Sequence, residues 1–283
     1  MPRRAGRAAL FTLLVVTFAA GCGGGPSAPR PARTGPPSSA AARPSRPAAP
    51  PAGRVPARPV SRDLLARLPK ATTFARLDGA PLDSGAPADT GALVAHPLSA
   101  QAVYAAPGGR PFAVLPDTEL GGPTWVPVVQ AELGWDRVLL PSRPDHATGW
   151  LSAGDALQIR YSAYVIRVSL EARTLTILND GDPLGTWTVA VGAPGTPTPV
   201  GQTFLLAQLA PPQPGYSPLI LPLGTHSDTL DTFGGGPGTV ALHGWPDPGV
   251  FGQAVSHGCV RVPDAALSLL ARVPLGSLVL IAR

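Results

Sequence analysis

The only cysteine beyond position 22 lies close in sequence to two of the five histidines. Cys259 stands in the stretch "AVSHGCVRV", two residues after His257, and His243 follows the apolar run "TVAL" sixteen residues earlier. A thiol becomes a strong nucleophile when a base within hydrogen-bonding reach takes its proton. Residues two apart on a strand face the same side, and a loop that turns back would also bring His243 to the cysteine. The spacing favours nucleophilic thiol catalysis, with Gly258 allowing a substrate carbonyl to come close to backbone amides.

Three other roles for Cys259 stay open on spacing alone. A metal site would draw on His243, His257, Cys259 and an acid such as Asp247, but this spacing matches no structural zinc pattern. A disulfide with Cys22 requires an oxidising compartment, and an inert buried thiol requires apolar neighbours. The flanking residues of Cys259 are more polar than an inert site needs. The residues therefore favour thiol chemistry over these three roles.

Short strands and one helix are predicted to position these residues. From about residue 158 the chain has segments rich in Val, Ile, Leu and Thr, such as "YVIRVSL" and "GTWTVAVG", bounded by "NDGDP", "GAPGTPTP" and "GGGPG". One helix is predicted over "PDAALSLLARV", with Pro263 in its first turn and Asp264 at its positive end. The class is mainly β, with two packed sheets or a flattened barrel.

A second region of short strands precedes this one. Between residues 92 and 155, segments such as "PFAVLP" and "WDRVLLP" contain prolines that suit strand ends, which predicts a small β-barrel. His96 and His146 lie here and are predicted to be surface or loop residues. Residues 62–91 are predicted to be a linker of ambiguous structure, in which "DLLARL" can form one or two helical turns and "TTFARL" a short strand.

The N-terminus resembles a bacterial lipoprotein signal. Residues 1–21 combine a basic start, an apolar run of 13 residues and the small residues before Cys22, which would become lipidated. An ordinary cleaved secretory signal is the alternative, and both interpretations predict export. Residues 22–61, rich in Pro, Ala and Arg, are predicted to be a disordered tether.

Charge is divided unevenly along the chain. Residues 1–62 hold ten arginines and no acid, which leaves 12 basic and 17 acidic residues in the remainder. A mildly acidic folded part argues against a nucleic-acid partner. The basic tail is instead suited to anionic lipid or a cell-wall polymer.

The stretch "HGW…AVSHGCVRV" closely resembles the signature of the L,D-transpeptidases, whose catalytic domain is of the YkuD type. The resemblance covers roughly residues 160–283 and includes "TPTPVGQTFLL", which is similar to an upstream strand-turn of the family. The run "GWDRVLLPSRPDHATGWL" resembles the end of a bacterial SH3-like domain. The implied fold is mainly β: a small SH3-like β-barrel over 92–155, then a YkuD-type β-sandwich with one helix after the motif.

Carried over by position, the family implies Cys259 as nucleophile and His243 as general base, with the carbonyl of Gly244 orienting the imidazole. His257 would shape the site, and the amides of Gly258 and Cys259 would donate to an oxyanion.

The resemblance also implies substrate contacts near the motif. Arg261 would meet a substrate carboxylate, unless it forms a structural ion pair, and Ser256 would brace the motif or simply form a turn. Trp245 would line the donor groove. Residues 209–233 occupy the position of a lid in such enzymes, which makes Tyr216 and His226 candidates for substrate contact.

The function implied by the family is 3→3 cross-linking of peptidoglycan stem peptides through a Cys259 thioester, with release of D-alanine. We expect an exported, membrane-anchored monomer at the outer face of the cytoplasmic membrane or in the cell wall, acylated by carbapenem-type β-lactams. One alternative is an L,D-carboxypeptidase with water as acceptor; a free D-amino acid or a protein amine is a further possible acceptor. Another is a non-catalytic peptidoglycan-binding lipoprotein.

Overall fold

The computed structural model describes residues 53, 55–83, 93–213 and 215–283. The predicted signal peptide, Cys22 and most of the predicted tether lie outside these residues. Within the described ranges, the helices are too short or too polar to cross a membrane.

The first described region is built on a seven-stranded antiparallel sheet. It is preceded by a short helix, α1 (Arg62–Arg67), whose first turn is capped by the Ser61 hydroxyl accepting from the Leu64 amide at 3.2 Å. The strands of this region are β1 Leu93–Pro97, β2 Gln101–Tyr104, β3 Pro111–Leu115, β4 Thr118–Glu119, β5 Gly122–Pro123, β6 Val126–Glu132, β7 Trp135–Leu139, β8 Thr148–Ser152 and β9 Leu157–Tyr161. The sheet has the order β3-β2-β8-β7-β6-β1-β9, and β4 pairs with β5 alone. A closed SH3-like barrel stays a prediction for this region.

The chain before β1 packs more tightly than a linker. Ala71, Leu77 and Ala80 are buried in the core of the first region. Residues 68–82 run alongside this region and form single bridges to Val114, Arg143 and Ala147. The strand considered for "TTFARL" does not form. The end of the predicted tether is also bound, since Tyr104 and Trp135 donate hydrogen bonds to the carbonyls of Arg58 and Val55 at 2.9 and 2.8 Å.

The second described region contains three sheets and one helix. Its elements are β10 Tyr164–Ser169, β11 Thr174–Asn179, β12 Asp182–Thr188, β13 Val191–Gly192, β14 Gly201–Phe204, β15 Ile220–His226, β16 Thr239–Gly244, a 3-10 turn Pro248–Val250, β17 Ala254–Ser256, β18 Val260–Val262, α2 Asp264–Leu270 and β19 Leu278–Ala282. The sheets have the orders β12-β11-β10-β19-β14, β15-β16-β18 and β13-β17. These pairings place both parts of the chemical motif, in β16 and next to β18, in one small sheet.

Helix α2 covers the core side of this arrangement. Pro263 precedes it with extended backbone and Asp264 occupies its first turn, where a negative charge suits the helix dipole. Ala266, Leu267 and Leu270 are its buried residues and join the core of the second region. The helix therefore holds the three-stranded sheet from behind, opposite the side that carries the polar motif.

The two regions share a packed boundary. Phe204, Leu206 and Leu278 belong by sequence to the second region but are buried with the core of the first. The hydroxyls of Ser162 and Ser277 are 2.6 Å apart at the same boundary. Apolar burial and a buried hydrogen bond together hold the regions against each other.

Candidate active site

The register of two parallel strands brings the motif residues to one face. Leu242 pairs with Val260 and His243 with Arg261. Leu242 and Val260 are fully buried in the core of the second region. Because side chains alternate along a strand, His243, Cys259 and Arg261 face the opposite side.

That opposite side is the floor of a pocket of about 380 Å³. The floor comes from β15, β16 and β18, and the walls come from the segments that precede and follow these strands. The lining residues are Tyr216, Ile220, Pro222, Phe233, Gly234, Thr239, Ala241, His243, Trp245, Ser256, His257, Cys259 and Arg261.

His243 is held in one orientation and in its neutral form. Its Nδ1 lies 2.8 Å from the carbonyl oxygen of Gly244, so Nδ1 carries the proton and donates, and Nε2 is left as the basic nitrogen. Burial lowers the pKa of His243, and the charge of Arg261 lowers it further, against the opposing hydrogen bond to Gly244. The Ser217 hydroxyl accepts from the Gly244 amide at 2.8 Å and fixes this peptide.

Cys259 is present as a protonated thiol. Burial raises the pKa of the Cys259 thiol, and the backbone hydrogen bond with Ala241 and the charge of Arg261 offset this only in part. In the described part of the chain, no hydrogen bond joins its Sγ to His243. A neutral thiol beside a neutral imidazole requires the base to take the proton as the thiol attacks.

The turn before Cys259 uses its polar groups internally. Ser256 Oγ donates to the carbonyl of Cys259 at 2.5 Å and accepts from the amide of Gly258 at 3.1 Å. Gly258 has φ of +115°, which a residue with a side chain adopts only under strain. Because its amide already has a partner, Gly258 is not a free oxyanion donor, contrary to the sequence-based expectation, and the Cys259 amide is left as the candidate.

Two threonines that the sequence reasoning did not single out support this turn. Thr198 Oγ1 donates to the carbonyl of Gly258 at 2.8 Å and accepts from the amide of Gly192 at 2.9 Å. Thr196 Oγ1 donates to the carbonyl of Ser256 at 2.9 Å. Both lie in "TPTP", which begins the stretch that resembles an upstream strand-turn of the family. This resemblance is the signal in the sequence that points to them.

Arg261 and two aromatic residues form one side of the pocket. The guanidinium carbon of Arg261 lies 3.6 Å from the centre of the Trp245 ring, a cation–π arrangement. The Tyr216 ring lies 4.8 Å from His243 and 5.5 Å from Trp245, measured between ring centres. Among the described residues, no carboxylate forms an ion pair with Arg261. Its positive charge is therefore free for an anionic group that enters the pocket.

Of the other four histidines, one lies at the pocket and three have structural contacts elsewhere. His257 is exposed at the pocket, with its ring centre 5.2 Å from that of Phe233. His226 is fully buried and lies outside the pocket lining, so the expected substrate contact is wrong for this residue. Its ring is used between Asp145 and Thr73 instead. His96 and His146 lie 2.7 and 3.2 Å from the carbonyls of Thr124 and Gln202 and are structural.

A metal site is one of the roles that the sequence leaves open for Cys259. Over the described ranges, no three side chains of the His, Cys, Asp and Glu types cluster so as to hold a metal ion. Cys259 is a free thiol in this structure.

Comparison with known proteins assigns the second region. Residues 163–281 match the family model described as the L,D-transpeptidase catalytic domain, YkuD. YkuD of Bacillus subtilis (strain 168) is 30% identical over 152 residues, which span 51% of this chain and 85% of that protein.

Several solved L,D-transpeptidases are similar to this chain at lower identity. An L,D-transpeptidase from Mycobacterium smegmatis is 17% identical, with a TM-score of 0.37 and coverage of 56% of this chain and 99% of that one. L,D-transpeptidase 3 from Mycobacterium tuberculosis, solved with a faropenem-derived adduct, is 16% identical, with a TM-score of 0.36 and coverage of 50% and 75%. The assignment rests on the sequence matches: this chain belongs to the L,D-transpeptidase family through a YkuD-type catalytic domain in its second half.

Proposed function

We propose that the protein cross-links peptidoglycan by two acyl transfers through Cys259. The observation that carries this proposal is the shared face of β16 and β18, on which a thiol, a neutral imidazole and an unpaired guanidinium line one pocket. Each group matches a need of the reaction: a nucleophile, a base and a partner for the donor carboxylate.

In the first transfer, Nε2 of His243 takes the thiol proton while Sγ attacks the carbonyl carbon of the bond between diaminopimelate and D-alanine. The Cys259 amide donates to the oxyanion. The carbon–nitrogen bond then breaks, and His243 returns the proton to the amine of the departing D-alanine. The product is a thioester on Cys259.

In the second transfer, the side-chain amine of a neighbouring stem attacks the thioester. His243 removes the proton of this amine and returns it to the cysteine sulfur as the carbon–sulfur bond breaks. The result is a 3→3 cross-link and a free thiol. Both transfers use the same base and no cofactor.

A β-lactam presents a strained amide to the same thiol. We propose that carbapenem-type β-lactams acylate Cys259 by opening of the lactam ring. The ring nitrogen stays attached to the acyl group, so no amine departs.

Lipidation of Cys22, export and anchoring at the membrane or cell wall belong to the same proposal, and so does a monomeric state. Export and anchoring are supported by the signal-like N-terminus.

Purified sacculi treated with the wild type and with Cys259→Ala test the proposal. We expect 3→3 dimers with the wild type and none with the variant. Tripeptides without dimers would instead make the protein an L,D-carboxypeptidase, and unchanged sacculi with a thiol inert to carbapenems would make it a wall-binding protein. In intact-mass spectra, a carbapenem adduct that persists in Cys259→Ala would rule out Cys259 as the nucleophile.

A further inference from the structure

One arginine of the first region binds a loop of the second. Arg143, between β7 and β8, donates from Nη1 and Nη2 to the carbonyl of Ser227 at 3.2 and 3.3 Å. Its Nη2 also donates to the carbonyls of Leu230 and Pro237, each at 3.2 Å. A single guanidinium thus holds three carbonyls of residues 227–238, a segment that we call the pocket loop.

The pocket loop forms a wall of the active site. Its base is closed by the amide of Ser227, which donates to the carbonyl of Gly238 at 2.8 Å, and its tip by reciprocal bonds between Phe233 and Gly236. Phe233 and Gly234 line the pocket, and the Phe233 ring packs against His257, two residues before the nucleophile. A displacement of this loop therefore changes the space beside Cys259.

A second link fixes the entry to the pocket loop. Asp145 accepts from the His226 amide at 2.9 Å, lies 2.9 Å from His226 Nδ1 and accepts from the hydroxyl of Thr225. On the other side, His226 Nε2 is 2.8 Å from the carbonyl of Thr73. Asp145 and Thr73, which bind the start of the loop, and Arg143, which binds three of its carbonyls, all belong to the first region.

We propose that Arg143 is a positioning residue for the acyl transfer and that the first region, through Arg143, holds one wall of the active site in place. Arg143 touches neither the thiol nor the base, and it acts by holding Phe233 against His257 at a fixed distance from Cys259. This inference rests on the proposed function for the identity of the reaction, but the contact that it describes does not.

A positioning role for Arg143 predicts that its substitution slows large reagents more than small ones. An extended donor peptide or a carbapenem is large enough to contact the pocket wall, whereas iodoacetamide needs only access to the sulfur of Cys259. Because small displacements of positioning groups cost up to about 100-fold in rate, we expect Arg143→Met to lower kcat/KM for the donor peptide by about tenfold. The change should lie mostly in KM, and the iodoacetamide rate should stay within about twofold of the wild type.

A matched control lies on the neighbouring strand. Arg137 in β7 donates to the Thr148 hydroxyl at 3.0 Å and to the carbonyl of Leu82 at 2.9 Å, both in the first region. Arg137→Met removes the same charge and comparable hydrogen bonds without touching the pocket loop. Arg143→Lys keeps the charge with fewer donors and should fall between the wild type and Arg143→Met.

Hydrogen exchange of the full-length chain is the readout that does not depend on the reaction. Amides of residues 227–238 should exchange faster in Arg143→Met than in the wild type and Arg137→Met. Equal exchange and equal donor kinetics in the two Met variants would overturn the proposal, as would an iodoacetamide rate that falls together with the donor rate. If Arg143→Met does not fold, Arg143→Lys gives the same comparison. A wild type that reacts with no donor would refute the proposed function, while exchange would still decide the role of Arg143.

Discussion

Glu119 is expected to make the stability of this protein fall as the pH rises towards neutrality. The residue is only 7% exposed, its Oε1 accepts from the Thr73 amide at 2.5 Å, and its Oε2 has no partner among the described residues. Burial raises the pKa of Glu119 from 4.5 to about 7, against the smaller opposing effect of the Thr73 hydrogen bond. The folded protein therefore keeps a proton there that the unfolded chain releases near its ordinary pKa.

The size of the effect follows from this difference. Below pH 4.5 both states are protonated, and above about pH 7 both are ionised. Between these values the folded state binds more protons, so the free energy of unfolding falls by about 1.4 kcal/mol per pH unit. The full loss is about 3 kcal/mol. Glu119 contacts Thr73, and Thr73 also contacts His226 across the boundary between the two regions.

Glu119→Gln removes the titration and keeps an acceptor for the Thr73 amide. We expect the variant to match the wild type at pH 4.5 and to exceed it by about 3 kcal/mol at pH 8 in urea-unfolding experiments. Glu132→Gln, at an exposed strand position, is the matched control and should leave the pH profile of the wild type unchanged. A Glu119→Gln increment that is the same at both pH values would refute the reasoning.

Three further predictions concern the site. Because burial lowers the pKa of His243 below 6.5, acylation of Cys259 by a carbapenem should reach half its maximal rate below pH 6.5, and a midpoint above 6.5 would contradict the neutral base. Thr198→Val removes the side-chain partner of the half-buried Gly192 amide and of the buried Gly258 carbonyl and should lower the free energy of unfolding by about 2 kcal/mol. Thr203→Val, at a buried hydroxyl without a partner among the described residues, should not. Arg261→Gln should raise KM for the donor peptide about tenfold. Amidation of the donor carboxylate should raise KM no further in this variant, and additive increases in KM would mean that the carboxylate binds elsewhere.

The chemical motif could be found from the sequence because it is local. Cys259 and His257 lie two residues apart, and His243 directly follows the clear apolar run "TVAL". The strand character and the helix "PDAALSLLARV" follow from apolar pattern and turn residues, and the structure has α2 within that segment. The family comparison confirms the assignment of the catalytic domain.

The rest depends on contacts between distant parts of the chain. Arg143 and Pro237 are 94 positions apart, and Thr73 and His226 are 153 apart. Local periodicity contains no information on such pairs, so the sequence alone predicts His226 in a lid and not at the boundary between the regions. It predicts a linker before β1 for the same reason, because the few apolar side chains there are buried by strands that come later.

The protonated state of Cys259 also bears on how the protein withstands oxidants. Peroxides and disulfides react with thiolates far faster than with thiols, so a thiol with a raised pKa is attacked slowly while the pocket is empty. In the proposed mechanism, His243 would generate the reactive form only as a carbonyl is attacked, so oxidation and catalysis would be separated in time. The burial that keeps Cys259 protonated would therefore also protect the one free thiol of the described residues between turnovers.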